Sequence, residues 1–219
     1  MKHLTILLST AIVIALSSCA NSQSSSSADD TVSEDSIPAI IEEVKAEHHE
    51  DEGKVIADLN FFINEKDFDK NKDKYLADIR NEHLLQYNIG NYQATWVSGY
   101  FENDSLYYVE FKGQPFDIDD YETRLIPQYK ELVNLYKSKY GAPSSERSTF
   151  PESYETKDGN TYLLSQWSLG KRTISIGLKD QSPYYMINLQ IYRNDVTERI
   201  NKRSEIEKQA NRESAESVI

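Results

Sequence analysis

The sequence predicts an α+β domain, with an antiparallel sheet built from two strand meanders and helices packed on one face. Three observations carry that prediction. Large apolar residues recur at helical spacing over residues 121–140, and apolar and polar residues alternate with period two over residues 173–179 and again over 185–191. Turn-length connections separate the strand-like runs, so that the order along the chain reads strand, helix, three strands, helix, three strands, helix.

The folded part is expected to begin near Lys54. Residues 57–63 are apolar and aromatic enough for a first strand, although Val55, Ile56, Leu59, Phe62 and Ile63 also suit a helix. Residues 67–79 read as a charged helix with Phe68, Tyr75, Leu76 and Ile79 inward. Three strands follow, at 84–89, 93–102 and 105–112, and Asn103-Asp104 between the last two favours a hairpin turn.

The helix ending at Tyr140 has the clearest pattern. Tyr121, Leu125, Tyr129, Leu132, Val133, Tyr136 and Tyr140 form one stripe, Asp119 and Glu122 resemble a capping pair, and Gly141 with Pro143 ends the helix. Pro127 conflicts with it, because an interior proline removes a hydrogen bond and clashes with the preceding turn. Either the regular helix starts near Pro127 or it kinks there. The second meander is read at 161–168, 172–179 and 184–193, joined by Leu169-Gly170-Lys171 and by residues 180–183. Residues 195–217 look helical, but Val196, Ile200 and Ile206 are the only large apolar anchors, so the far end should be solvated.

The N-terminus has a different logic. Lys2 is followed by an uncharged, mostly apolar run over residues 4–16, too short for a spanning helix, which needs about 20 apolar residues. Small residues and a cysteine close it, as Leu16-Ser17-Ser18-Cys19. This ending resembles the lipobox of bacterial lipoproteins. The resemblance implies that residues 1–18 are removed as a signal peptide and that Cys19 is lipidated (palmitate and a diacylglycerol being the expected chains). Two chains hold a protein stably at a bilayer, where one binds only marginally. By likeness to the best-known sorting rule, Ala20 after the cysteine implies the outer membrane, with the side the domain faces left open.

Residues 29–52 hold ten acidic residues against the single Lys45, so most of the chain's net charge of −12 belongs to this stretch. With its Ser-rich start it reads as a tether over residues 19–53, which has too little apolar surface to offset its ordering entropy. The domain organisation expected is therefore signal 1–18, tether 19–53, a single α+β domain 54–195, and a polar C-terminal helix 196–219. A chain without a basic face is a poor partner for nucleic acid. Cys19 is the only cysteine, so no disulfide is available.

Four motifs could carry chemistry. Asp67, Asp69, Asn71, Asp73 and Asp78 have the spacing of a calcium loop, but Lys72 occupies the position where glycine permits the turn, and Lys70 and Lys74 add repulsion. His48-His49 sits in the acidic tether without a rigid frame, so no metal site is expected. Trp96 and Tyr100 would share one strand face and form a candidate ligand platform. Finally, Asp-Thr/Ser-aliphatic triplets resemble the acceptor motif of a bacterial periplasmic O-glycosylation system, which implies Thr31, Ser36 and Ser105 as candidate sugar acceptors. No nucleophile elbow or zinc-protease helix occurs, and no cofactor is expected. The expectation is a non-catalytic, lipid-anchored cell-envelope protein that binds a partner protein. The alternative is a surface glycan-binding lipoprotein that uses the Trp96–Tyr100 platform.

Overall fold

The computed structural model describes residues 52–216. Cys19, Thr31, Ser36, His48 and His49 lie outside the described residues, and with them the expected signal peptide and nearly all of the tether.

The chain enters the core through a small hairpin, β1 (Lys54–Ile56) and β2 (Leu59–Asn60), where a single strand over 57–63 was expected. Ala57, with φ of 50°, reverses the chain so that Val55 and Leu59 are both fully buried in one core. Nothing in the local sequence announces a left-handed alanine. Two arginines fasten this entry segment. Arg172 Nη2 donates to the Val55 carbonyl at 2.8 Å, and Arg193 Nη1 donates to the Glu52 carbonyl at 3.2 Å.

Helix α1 (Glu65–Tyr75), expected over 67–79, starts two residues earlier, where Asn64 Oδ1 accepts from the Asp67 amide at 2.8 Å. A 3-10 turn, Ala77–Ile79, then leads into the sheet. Its strands are β3 (Arg80–Asn81), β4 (Gln86–Ile89), β5 (Tyr92–Glu102), β6 (Ser105–Gly113), β7 (Ser145–Glu146), β8 (Thr161–Leu169), β9 (Arg172–Gln181) and β10 (Tyr184–Arg193). The spatial order is β3-β4-β5-β6-β10-β9-β8-β7, with every neighbouring pair antiparallel. Two meanders thus meet at the β6–β10 pair, and the α+β class follows from their helical connections. Each meander has four strands, not three. The additions, β3 and β7, are two residues long and lie at the two edges.

Helix α2 (Ile126–Tyr140) settles the Pro127 conflict. A π-helical turn over Tyr121–Leu125 precedes it, and Pro127 occupies its first turn, where a backbone N–H would lack an intrahelical acceptor anyway. Asp117 Oδ1, in place of the expected Asp119–Glu122 pair, accepts from the Asp119 and Asp120 amides. Gly141, at φ of 76°, ends the helix.

The core lies on one face of the sheet. Leu132, Val133, Tyr136 and Tyr140 of α2 and Phe68 of α1 bury there, against Val97, Val109, Phe111, Trp167, Ile174, Ile176, Leu178, Ile187 and Leu189. Phe68 reaches down beside Gly99, whose missing side chain leaves room for the ring. Helix α3 (Asn194–Glu216) contributes only Val196 to the interior and is exposed at every position from Glu205 on. Among the described residues no helix is long and apolar enough to cross a membrane.

The tyrosine-rich interior has an alkaline consequence. Burial raises the hydroxyls of Tyr92, Tyr121 and Tyr136, and burial followed by Asp73 pushes Tyr87 up to about 12. A raised folded value means stability is complete below the ordinary tyrosine value of 10 and is lost as pH rises through the folded value. In an alkaline titration these hydroxyls are expected to ionise together with unfolding between about pH 10 and 12, so tyrosinate absorbance and circular dichroism should share a late step. Independent, non-cooperative ionisation near pH 10 with the fold intact would contradict the burial.

Candidate binding face and free sheet edge

Among the described residues the helices bury their apolar stripes on the first face, and strand register decides what stands on the second. On β5 and β6, Trp96 pairs with Lys112, Ser98 with Glu110, and Tyr100 with Tyr108. On β6 and β10, Lys112 pairs with Asn188, Glu110 with Gln190, and Tyr108 with Tyr192. Paired residues share a face, so these nine side chains form one patch. The predicted pair Trp96 and Tyr100 is within it, 59% and 43% exposed. A bulge between Ala94 and Trp96 sets this phase: it lets Ala94 and Val97 both turn inward while Trp96 turns out.

The centre of the patch is polar and buried. Glu110 is only 9% exposed, and its Oε1 accepts from Asn188 Nδ2 at 3.1 Å and from Gln190 Nε2 at 3.3 Å. Its other oxygen, Oε2, faces the Lys112 ammonium at 3.8 Å, beyond hydrogen-bond range. Asn188 is 3% exposed, and its Oδ1 has no hydrogen-bond partner among the described residues. Burial, and then the Glu110 carboxylate, raises the hydroxyls of both Tyr100 and Tyr108.

Aromatic rings border this centre. Tyr100 meets Tyr108 edge-on at 4.9 Å, and Tyr108 stacks on Tyr192 at 5.6 Å, giving a ladder across three strands. The Trp96 indole is fixed on its own strand by an Nε1–H donated to Ser98 Oγ at 2.9 Å, and the Lys72 ammonium lies 5.5 Å from its ring centroid. Sequence reasoning missed Glu110, Asn188 and Gln190. The period-two phase of β6 and β10 marked them as outward polar residues, but not that they meet.

The same strand has an unpaired edge. β4 pairs with β5 only over Tyr92, Gln93 and Ala94, so the outer edge of residues 95–102 pairs with no strand among the described residues. At the sheet's other margin, β8 is covered over Ser165 and Gln166 by β7.

The remaining motifs take other forms. The calcium-like segment is helix α1: Asp67 accepts from Asn71 Nδ2 and Tyr75 Oη, both at 2.6 Å, and these two bonds hold its carboxyl below the ordinary value. A helix does not wrap one ion with alternate residues, and no three metal-ligating side chains converge among the described residues. Ser105, half-buried, opens β6 directly after the left-handed pair Asn103 and Asp104, and Asp104 Oδ1 accepts from the Glu65 amide at 3.0 Å. A shallow cavity of about 600 Å³ beside that turn is lined by Glu65, Lys66, Asp69, Lys70 and Asp104. A second, of about 420 Å³, holds His83 with Asp78, Arg80 and Glu82.

Comparison with protein-family models, curated proteins and solved structures finds no match for this chain.

Proposed function

We propose that this is a lipid-anchored cell-envelope protein, held at the bilayer through acylated Cys19, whose domain binds a partner polypeptide without catalysis. The observation that supports the binding role is the free edge of β5. Along residues 95–102 the outward backbone N–H and C=O groups have no strand beside them among the described residues, and an open edge of this kind is a template for strand addition. Natural sheets usually blunt such edges by keeping them short or charged. At the opposite margin β7 pairs with only Ser165 and Gln166 of β8, while β5 keeps eight consecutive residues open with Thr95, Trp96 and Tyr100 exposed on it. An incoming strand would take affinity from main-chain hydrogen bonds and selectivity from the ring of Trp96 and the Lys72 head beside it.

The test is site-specific photo-crosslinking of the full-length chain in intact cells. Probes at Thr95 and Tyr100 are expected to give one discrete protein adduct. A probe at Tyr154, exposed on the loop before β8, should give none. Cys19→Ser should release the protein from the membrane fraction and abolish the adduct. Equal adduct patterns at all three positions would sink the edge reading, and retention of the serine variant at the membrane would sink the anchor.

A further inference from the structure

We infer that the polar face centred on Glu110 is a seat for a neutral, hydroxyl-rich ligand of saccharide type, beside the strand-addition edge and sharing Trp96 with it. A carboxylate on a sheet face that is 9% exposed gives up hydration, which an isolated structural role does not require. Two amides, Asn188 Nδ2 and Gln190 Nε2, converge on the same oxygen, Oε1. That arrangement fixes the carboxylate's rotation and leaves Oε2 3.8 Å from the Lys112 ammonium, with the Tyr100 hydroxyl also close to the carboxylate. The acceptor is therefore oriented before any ligand arrives. Beside it the Asn188 Oδ1 has no donor among the described residues, so the cluster is short of a donor there.

Charge then selects the ligand class. Glu110 repels an anion, while Lys112 and the Lys72 head over Trp96 repel a cation. A ligand that brings donors without net charge is a polyol. The ring chemistry agrees: Trp96 is 59% exposed, is held in place by its bond to Ser98, and stands beside the polar centre, so an apolar sugar face can lie on it while hydroxyls reach Glu110. Lys112, 44% exposed in its side chain, is placed to donate to a ring or hydroxyl oxygen.

Trp96 also supplies the readout, because the other tryptophan, Trp167, is 1% exposed and out of reach. The full mature chain is screened on immobilised neutral glycans, and the best binder is titrated by tryptophan fluorescence, with glycerol and an anionic polygalacturonate as comparison probes. A saturable change with a neutral oligosaccharide, weakened about tenfold or more by Glu110→Gln and by Trp96→Ala, is expected, given the usual worth of a hydrogen bond to a charged group. Glu110→Gln keeps shape and an acceptor for both amides, and Trp96→Ala lies at the surface, so circular dichroism should show both folded. No retained glycan, tighter binding of the polygalacturonate, or equal binding by wild type and both variants would overturn the assignment. Crosslinking at Thr95 that persists in Glu110→Gln shows the edge to act independently of Glu110.

Discussion

Replacing Trp167 with alanine is expected to destabilise the domain by about 3–5 kcal/mol, enough to leave a protein of ordinary stability barely folded. Trp167 sits on the core face of β8, and its ring packs 5.6 Å from Tyr136 of α2, which stacks in turn on Tyr140 at 6.0 Å. Arg172 lies 5.6 Å from the Tyr140 ring and donates to its hydroxyl and to the Val55 carbonyl, so the indole underpins both the helix seat and the entry segment. The indole Nε1–H donates to the Gly141 carbonyl at 3.0 Å, satisfying a group at the end of α2. Alanine would remove the ring, leave a cavity walled by Tyr136 and Ile174, and strip the carbonyl of its donor. Trp96→Ala, at 59% exposure, should shift stability by no more than about 0.5 kcal/mol. Urea unfolding midpoints at unchanged slope make the comparison, and a similar shift for both tryptophans would refute the division of labour.

That contrast between two tryptophans bears on how far the sequence could be read. Trp96 and Trp167 both fall in runs of strand character, and local pattern separates them only weakly. In the structure, Ser98 and Tyr100 alternate outward with Trp96, while Leu169 follows Trp167 on the inward phase. The strands β5, β6, β8, β9 and β10 and the helix α2 were legible because each is long enough for its period to repeat. β3 and β7 were not, since two residues carry no period. The β1–β2 hairpin was read as one strand because its reversal depends on Ala57 in a left-handed conformation, a choice the surrounding core enforces and the residue itself disfavours.

The binding face was half visible for a related reason. Trp96 and Tyr100 lie four residues apart on one strand, so local alternation places them together. Glu110 meets Asn188 and Gln190 only because β6 pairs with a strand 78 to 80 residues further along, in a register that local alternation does not set. Residues 67–78 show the opposite case, in which the charged-helix expectation holds and the calcium spacing is a coincidence of pattern. Their alternating acids and lysines fit a calcium loop by spacing alone, but Asn64 at the N-cap and Phe68 facing Gly99 make the helix the better use of the same residues.

The second large effect is expected at Gly113, where the two meanders join. A Cβ there would stand 2.3 Å from the Ile187 carbonyl oxygen and 3.2 Å from the Tyr92 ring, and a backbone oxygen cannot swing aside as a side chain can. The close approach has a purpose in the fold. The fully buried Tyr92 hydroxyl lies between the Phe111 carbonyl at 2.9 Å and the Ile187 carbonyl at 3.0 Å, bridging β6 to β10 where their pairing ends at Lys112 and Asn188. Gly113→Ala should push β10 away, stretch that bridge, and destabilise by about 1–3 kcal/mol, the usual range for overpacking. Gly177→Ala meets its nearest neighbour, the Tyr162 carbonyl oxygen, at 3.1 Å and should lose distinctly less. Tyr92→Phe separates crowding from the lost bridge: if Gly113→Ala acts partly by breaking the Ile187 bond, the double variant will be less destabilised than the sum of the two single changes. Strict additivity in unfolding free energies would mean that the glycine and the tyrosine serve the junction independently.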